Sequence, residues 1–492
     1  MNSHFKKTDL IFIAFIPLIV TFFSYQTKSF WGDEILSIRF AAQDFSGFIK
    51  SLSADYHPPL YFLLLKFWIN IFGQHEIMLR VFQGLQGAIF VALSLILFRR
   101  LFTYHRYHPF WFLLITSSEV WLFMPMLRYY IFAACLIMIS SIFFFNWIEN
   151  PNRKNSLLFI ISYVCLLYTD YPASIVILIH GCFIILNKKN LTGKLLLVYA
   201  AAMLLFLPWL VITVKQIGTL IGSDQIADLN TSFKAIFIKT AYSLYAFLLG
   251  ETIYPFEIIA IIILVLIIVV FVTNFPPKNF FSSTAVVYSI SILIGGILFT
   301  SVVTNFISKH TSFIYTPSRT LFALPFFFLL LGLFYTNIQK KLFRYLLIGT
   351  ILTSNFYGIF NWITNKNFMM PVYAVPWKEV LNDISGSDGL MLADESLCYE
   401  YYSKELRGNF PKLIKSNSVD ELQAEIEKHK TENSLNIFLI ILGRESTKSE
   451  LNSDVIDYVK LIGEKVYEKK YLELDPSYRK IKSKILGSNL FN

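Results

Sequence analysis

The sequence predicts an all-α polytopic membrane bundle of about eleven transmembrane helices, with interfacial helices in the first outer loop and a small α/β soluble domain at the C-terminal end. Three observations predict it. The composition is too apolar for a chain folded in water, apolar runs of bilayer length recur along it, and Lys and Arg cluster between those runs on one alternating set of loops.

Of the 492 residues, 55% are hydrophobic, 17% aromatic and 15% charged, so lipid must form part of the solvent. The formal net charge is +10, but it is dispersed as short clusters between apolar stretches. That pattern encodes membrane topology and argues against a nucleic-acid partner. Among Cys135, Cys165, Cys182 and Cys398 there is no CxxC pair, and three lie in apolar runs as small hydrophobic fillers. The first apolar run follows Lys6 and Lys7 and lacks a small-residue cleavage site, so an uncleaved anchor is expected.

Runs of roughly 17 to 25 residues, the length that crosses a bilayer, cover 9–26, 77–98, 109–127, 129–147, 156–169, 171–187, 195–214, 254–275, 284–305, 320–337 and 343–361. The breaks at Arg128 and Asp170 are tight turns with almost no loop. Orientation follows from the basic residues, since cytoplasmic loops carry the excess. One alternate set of loops holds Lys6 and Lys7; Arg99, Arg100 and Arg106; Arg153 and Lys154; Lys188, Lys189 and Lys194; Lys278; and Lys340, Lys341 and Arg344. A missed or invented span would scatter these clusters over both faces. The expected protein is therefore a multi-pass protein of the inner (plasma) membrane with a cytoplasmic N-terminus. Segments 27–76, 215–253, 306–319 and everything after about 362 face the extracytoplasmic side.

The first outer loop, 27–76, mixes Ile35, Leu36, Ile38, Phe40 and Phe48 with polar residues, which suits a helix lying at the membrane surface. Residues 60–72 follow two prolines and are too short to span comfortably, so they read as a second interfacial helix. After 361 the composition shifts. GLMLAD and NIFLIIL read as strands, and WKEVLNDI and SVDELQAEIEKHK as helices. The expected domains are thus a bundle over 1–361 and an α/β domain over 362–492.

Candidate chemistry gathers in WGDEILSIRF, ADYHPPLYFLLLKFWINIFG and HEIMLRVF. Asp33 and Glu34 follow the first span at the water interface. Read alone, such a pair is a helix N-terminus, where carboxylates are favoured by the dipole. Asp55 and His57, just before the rigid Pro58-Pro59 turn that returns the chain to the membrane, are what a site at the bilayer edge needs.

The DE pair after the first helix, DYHPPLY some twenty residues on, and the G-x-x-E-x-x-x-R run (Gly73, Glu76, Arg80) resemble the membrane-embedded glycosyltransferases of the GT-C class. They are most similar to the bacterial branch of the dolichyl-phosphate-mannose protein mannosyltransferases and to the lipid A aminoarabinose transferases. The resemblance covers roughly 25–215. It implies a sugar donor carried on a polyprenyl phosphate, transfer on the extracytoplasmic face with inversion, and a lipid, glycan or protein acceptor. It also implies that an acidic residue of the first loop is the base; Asp33 is the matching position, with Glu34 and Asp55 as its catalytic neighbours. A lipid phosphate is already a good leaving group, so one base suffices if cations stabilise the departing charge. Arg128 and Tyr129, in MLRYY, lie in a stretch similar to the family's R-x-Y element. Arg319, after Tyr315 and Pro317, is the second candidate for the phosphate, arginine offering a planar fork of donors. Terminal arginines also snorkel to headgroups. His57 is expected to orient base, sugar or metal.

Asp170, in LLYTDYPAS, stands where many relatives carry the histidine of a YTHY element. It can orient a substrate hydroxyl, bind a divalent metal ion or cap the next helix. The departure weakens the case for a metal held by an imidazole, and the cofactor is left open. Glu76 and Arg80, spaced i, i+4, can pair on one helix face or contact substrate. Lys309 and His310 are weaker candidates, and Trp31, Tyr56, Trp111 and Trp377 suit interfacial anchoring. No Gly-rich phosphate loop, zinc-spaced Cys/His cluster or serine-nucleophile motif is present, which argues against ATP or a Rossmann-bound nucleotide. A lipid-linked oligosaccharide flippase or other transporter is the alternative of a different class. Transporters place ionisable residues near the bilayer midplane, whereas these sit at outer helix ends. A glycan polymerase or ligase is the third reading.

Overall fold

A computed structural model describes residues 5–462 except 56, 103–107, 222–231, 308–315, 394, 416–417, 430–435 and 441–452. Tyr56, Arg106, Lys309 and His310 lie outside the described residues. The chain divides into two compact units. One comprises Met1–Ser24 and Phe40–Met369, the other Tyr25–Arg39 and Met370–Asn492.

The first unit is a helical bundle. Among the described residues, seven helices are long and apolar enough to cross a membrane: Lys7–Thr27, Glu76–Leu101, Tyr130–Glu149, Lys189–Ile217, Thr284–Thr304, Thr316–Asn337 and Lys341–Ile363. Every other expected span coincides with a shorter helical piece. The run at 109–127 is two helices, Pro109–Ile115 and Ser118–Phe123, because Ser117 caps the second by accepting from the Val120 amide. The others are Arg153–Leu167, Ile175–Asn187 and Ile258–Thr273. Of the first amphipathic stretch expected in the first outer loop, Ile35, Leu36, Ile38 and Phe40 lie on the helix Gly32–Ala42 and Phe48 on the helix Phe45–Ala54, and the second expected piece is the helix Leu60–Phe72. The second buries Tyr61, Phe62 and Leu65 and exposes Phe67 and Ile71.

Polar side chains tie the bundle together where helices cross. Asp9 is fully buried and takes both terminal nitrogens of Arg99, at 2.8 and 2.9 Å, joining Lys7–Thr27 to Glu76–Leu101. Deeper in, the Tyr163 hydroxyl meets His180 Nδ1 at 2.8 Å, His180 Nε2 meets the Tyr288 hydroxyl at 2.7 Å, and Tyr288 donates to Ser141 Oγ at 2.7 Å. That chain satisfies polar groups with no access to water. The helix Ser232–Leu249, which falls in a segment expected to be an outer loop, meets the last turn of Thr284–Ile307 through Lys239 and Thr304, and Thr252 beyond its end donates to the Gly358 carbonyl at 2.8 Å. It therefore packs along Thr284–Ile307, where Thr240 Oγ1 also donates to Ser301 Oγ at 3.3 Å.

In the second unit a parallel sheet has the order β2-β1-β3, with β1 at Leu390–Ala393, β2 at Lys412–Leu413 and β3 at Ile437–Ile440. Leu390 pairs with Ile437 and Ala393 with Ile440. The helices Trp377–Asp383 and Val419–His429 stand where the sequence predicts them, and the helix Ser396–Glu405 joins β1 to β2. Leu390, Leu392, Ile414, Leu422 and Val455 form the core. The tryptophan expectation needs correction. Trp111 is fully buried with its indole N–H on Ser94 Oγ at 3.0 Å, and Trp31 and Trp377 are also buried. Burial makes them packing residues, with Phe12 edge-on to Trp111 at 5.6 Å and Tyr373 edge-on to Trp31 at 5.1 Å.

Candidate functional site

The first unit gathers most of the predicted site at one end of the bundle. Asp55 ends the helix Phe45–Ala54, and its carbonyl, with that of Leu52 at 3.0 Å, accepts from the Gln216 side chain. Two residues on, His57 Nδ1 lies 2.9 Å from Asp55 Oδ2, and His57 Nε2 lies 3.1 Å from the Arg128 guanidinium. A guanidinium can only donate, so Nε2 accepts and Nδ1 carries the proton that Asp55 takes. Burial pushes the imidazole below its usual pKa. Asp55 opposes that shift, and the charges of Arg128 and Arg319 add to it. His57 is thus a neutral link between a carboxylate and an arginine.

The turn that presents Arg128 is held from behind. Glu76 and Arg80 pair on one helix face, with Arg80 Nε and Nη2 at 3.3 and 3.2 Å from Glu76 Oε1, and both residues are buried. Arg80 also donates to the Pro125 carbonyl at 3.0 Å. One turn on, the Gln83 amide donates to the carbonyls of Met126 and Arg128, the latter at 3.2 Å, and lies 3.1 Å from the Tyr61 hydroxyl. Glu76 and Arg80 therefore support the site and do not line it. Gln83 was not singled out by sequence, since a glutamine inside an apolar run carries no motif. Arg128 is 3% exposed, and its guanidinium packs over the Tyr129 ring at 5.6 Å.

Asp170 joins the group through the chain return after Pro59, where the Leu60 amide donates to the Tyr168 carbonyl at 2.8 Å. Its carboxyl is buried, and burial pushes it up to about 7. The Arg319 charge and the Ala173 amide oppose that rise. Asp170 precedes the Pro172–Ser174 turn, its carbonyl accepts from Ser174 Oγ at 3.0 Å, and its carboxyl feels the charge of Arg319. Arg319, on the short helix Thr316–Thr320, acts on Asp170 and His57 alike. His57, Arg128, Asp170 and Arg319, drawn from four separate parts of the chain, thus share one electrostatic environment in which cations dominate.

No family model matches the sequence. No curated protein matches it either. Among solved structures, the chain is similar to the crystal structure of ArnT from Cupriavidus metallidurans bound to undecaprenyl phosphate, at 13% sequence identity and a TM-score of 0.47, over 87% of this chain and 89% of that one.

Asp33 and Glu34 belong to the second unit. The helix Gly32–Ala42 starts there, and Glu34 Oε2 accepts from the Trp31 amide at 3.0 Å, closing half of a capping box. Asp33, half-buried, heads the same turn. The residues before it are fixed by the C-terminal part of the unit. The Phe30 amide donates to the Tyr402 hydroxyl at 2.5 Å, Lys378 N–H donates to Ser29 Oγ at 3.2 Å, and Arg39 pairs with Glu400. Glu395 is buried so close to this turn that a Cβ at Gly32 would lie 3.4 Å from its Oε1. Asp394 lies outside the described residues.

The donor set of the first-unit site does not fit a divalent cation. Asp55 is engaged by His57, and the acceptor nitrogen of His57 is engaged by Arg128. A metal on either residue would have to displace these partners. Among the described residues no group of three or more His, Cys, Asp or Glu side chains converges on one point.

Proposed function

We propose that this protein is a membrane glycosyltransferase that moves a sugar from a polyprenyl-phosphate donor to an acceptor hydroxyl on the extracytoplasmic face. The observation that carries the reading is the convergence of Arg128 and Arg319, with the neutral His57 between Asp55 and Arg128, at one end of an apolar bundle. Guanidinium groups held at the edge of a hydrocarbon region suit a phosphate whose tail remains in lipid.

In this reading the Asp33 carboxylate takes the proton of the acceptor hydroxyl as its oxygen attacks the anomeric carbon. The bond from that carbon to the phosphate oxygen breaks, its electron pair stays on the phosphate, and configuration inverts. The phosphate charge grows from one to two, and Arg128 and Arg319 stabilise the increase. Tyr129 and Asp170 line the donor side, and Asp170 is suited to a sugar hydroxyl while it keeps its proton. Glu34 holds the turn that presents Asp33. The basic loop clusters favour a cytoplasmic N-terminus with Asp33 and the C-terminal unit on the opposite side.

The test is transfer in proteoliposomes supplied with polyprenyl-phosphate sugar and acceptor, measured beside translocation of the same lipid. Asp33→Asn is expected to reduce transfer by at least about 100-fold while donor binding persists. Normal turnover in Asp33→Asn removes the base assignment, and lipid translocation without transfer removes the glycosyltransferase reading.

A further inference from the structure

Lys239 is a buried cation whose described surroundings hold no anion. It lies on the helix Ser232–Leu249, is 3% exposed, and its ammonium reaches the Thr304 hydroxyl at 3.5 Å. The Thr304 proton is committed to the Thr300 carbonyl at 2.8 Å, so Thr304 offers Lys239 a lone pair and no charge. Burial, and next the charge of Arg319, hold the ammonium down to about 8, and no carboxylate among the described residues counters them. The geometry of the Arg319 side agrees. Ser243, one turn along the same helix face, meets Thr320 Oγ1 at 3.3 Å, and Thr320 follows Arg319 directly.

A buried ammonium near a half-buried guanidinium is repelled by it, and the lysine gives up hydration. A fold keeps such a pair when an anion completes it. We infer that Lys239 is a third cation of the phosphate site, donating beside Arg319 to a non-bridging oxygen of a polyprenyl phosphate monoester. This rests on the reading above and deepens it. The monoester is the dianionic product of transfer, one charge more than the donor, so a third cation favours the departing group over the bound donor.

The experiment is binding of undecaprenyl phosphate, and of undecaprenol as the uncharged control, to purified full-length protein in nanodiscs. Lys239→Met is expected to weaken undecaprenyl phosphate about tenfold, the loss of one charge-assisted hydrogen bond, and to leave undecaprenol unchanged. Lys239→Arg is expected to keep most of the affinity. The melting temperature of lipid-free Lys239→Met should equal or exceed that of the unaltered protein, because an uncompensated buried charge is gone. A lower melting temperature would mean that the lysine serves an internal ion pair, which overturns the inference. Equal affinity of Lys239→Met for undecaprenyl phosphate, with Arg319→Met weakened, strikes out the lysine and leaves the phosphate site standing. If the unaltered protein shows no preference for undecaprenyl phosphate over undecaprenol, the proposed phosphate site and the role of Lys239 fall together.

Discussion

His57 accepts from Arg128 through Nε2 while donating to Asp55 through Nδ1. That single tautomer fixes what protonation would do. An imidazolium has no lone pair for Arg128, so the arginine would face a second cation where it now has an acceptor.

A pH dependence follows. The His57 pKa in the fold lies below its ordinary value of 6.5, so the unfolded chain binds the proton first as pH falls. Its stability contribution is complete above about 6.5 and is lost as pH drops from there toward the folded value. Substituting His57→Gln, which keeps an acceptor near Nε2, should flatten the acid limb of kcat/KM. Replacing it as His57→Leu should lower kcat about tenfold or more at neutral pH. An acid limb unchanged in His57→Gln would assign it to another group.

Asp170 has the opposite sign. Its folded pKa of about 7 lies above the ordinary carboxyl value of 3.8, so the native state holds a proton that the unfolded chain has released. The stability it contributes is present below about 4 and is lost as pH rises through about 7. Melting temperatures of Asp170→Asn and the unaltered protein, measured from pH 4 to about 8, should diverge in favour of the asparagine toward the alkaline end. Parallel curves would show that the carboxyl is already ionised at pH 5.

The Glu76–Arg80 pair supports the Arg128 turn from a dry position. Arg80→Met leaves the Glu76 carboxylate buried without its guanidinium and should cost about 3 to 5 kcal/mol in denaturant unfolding. The double replacement Glu76→Leu with Arg80→Met should recover part of that loss. A single substitution that leaves stability unchanged would place water beside the pair.

Tyr402 offers a sharper test of the second unit than the charged contact nearby. Removing the hydroxyl in Tyr402→Phe leaves the Phe30 amide without its acceptor inside a buried segment, at a cost of about 1 to 3 kcal/mol. The half-exposed Arg39–Glu400 pair should be worth less than about 1 kcal/mol, and Glu400→Gln should be nearly silent in thermal unfolding. Equal effects would mean that the two contacts form one network.

The fold was legible where a physical rule acts locally. Apolar run length located the helices, and strand and helix periodicity located Leu390–Ala393, Ile437–Ile440 and Val419–His429. The site was legible where a residue type is rare in an apolar chain, as with His57, Arg128, Asp170 and Arg319. What escaped depends on partners distant in sequence. Gln83 and Lys239 matter through carbonyls and charges on other helices, and no spacing announces them. The grouping of Tyr25–Arg39 with the C-terminal part was equally invisible, because Phe30 meets Tyr402 across 372 positions.

That last grouping sets an order of maturation. While the bundle helices are being inserted, the turn bearing Asp33 has none of its C-terminal anchors, since Lys378, Glu395, Cys398 and Tyr402 have not yet been translated. A chain interrupted before residue 402 would own every arginine of the bundle site and still lack the clasp on the Phe30 amide. Completion of synthesis is therefore built into this protein as a condition for setting the turn that bears Asp33.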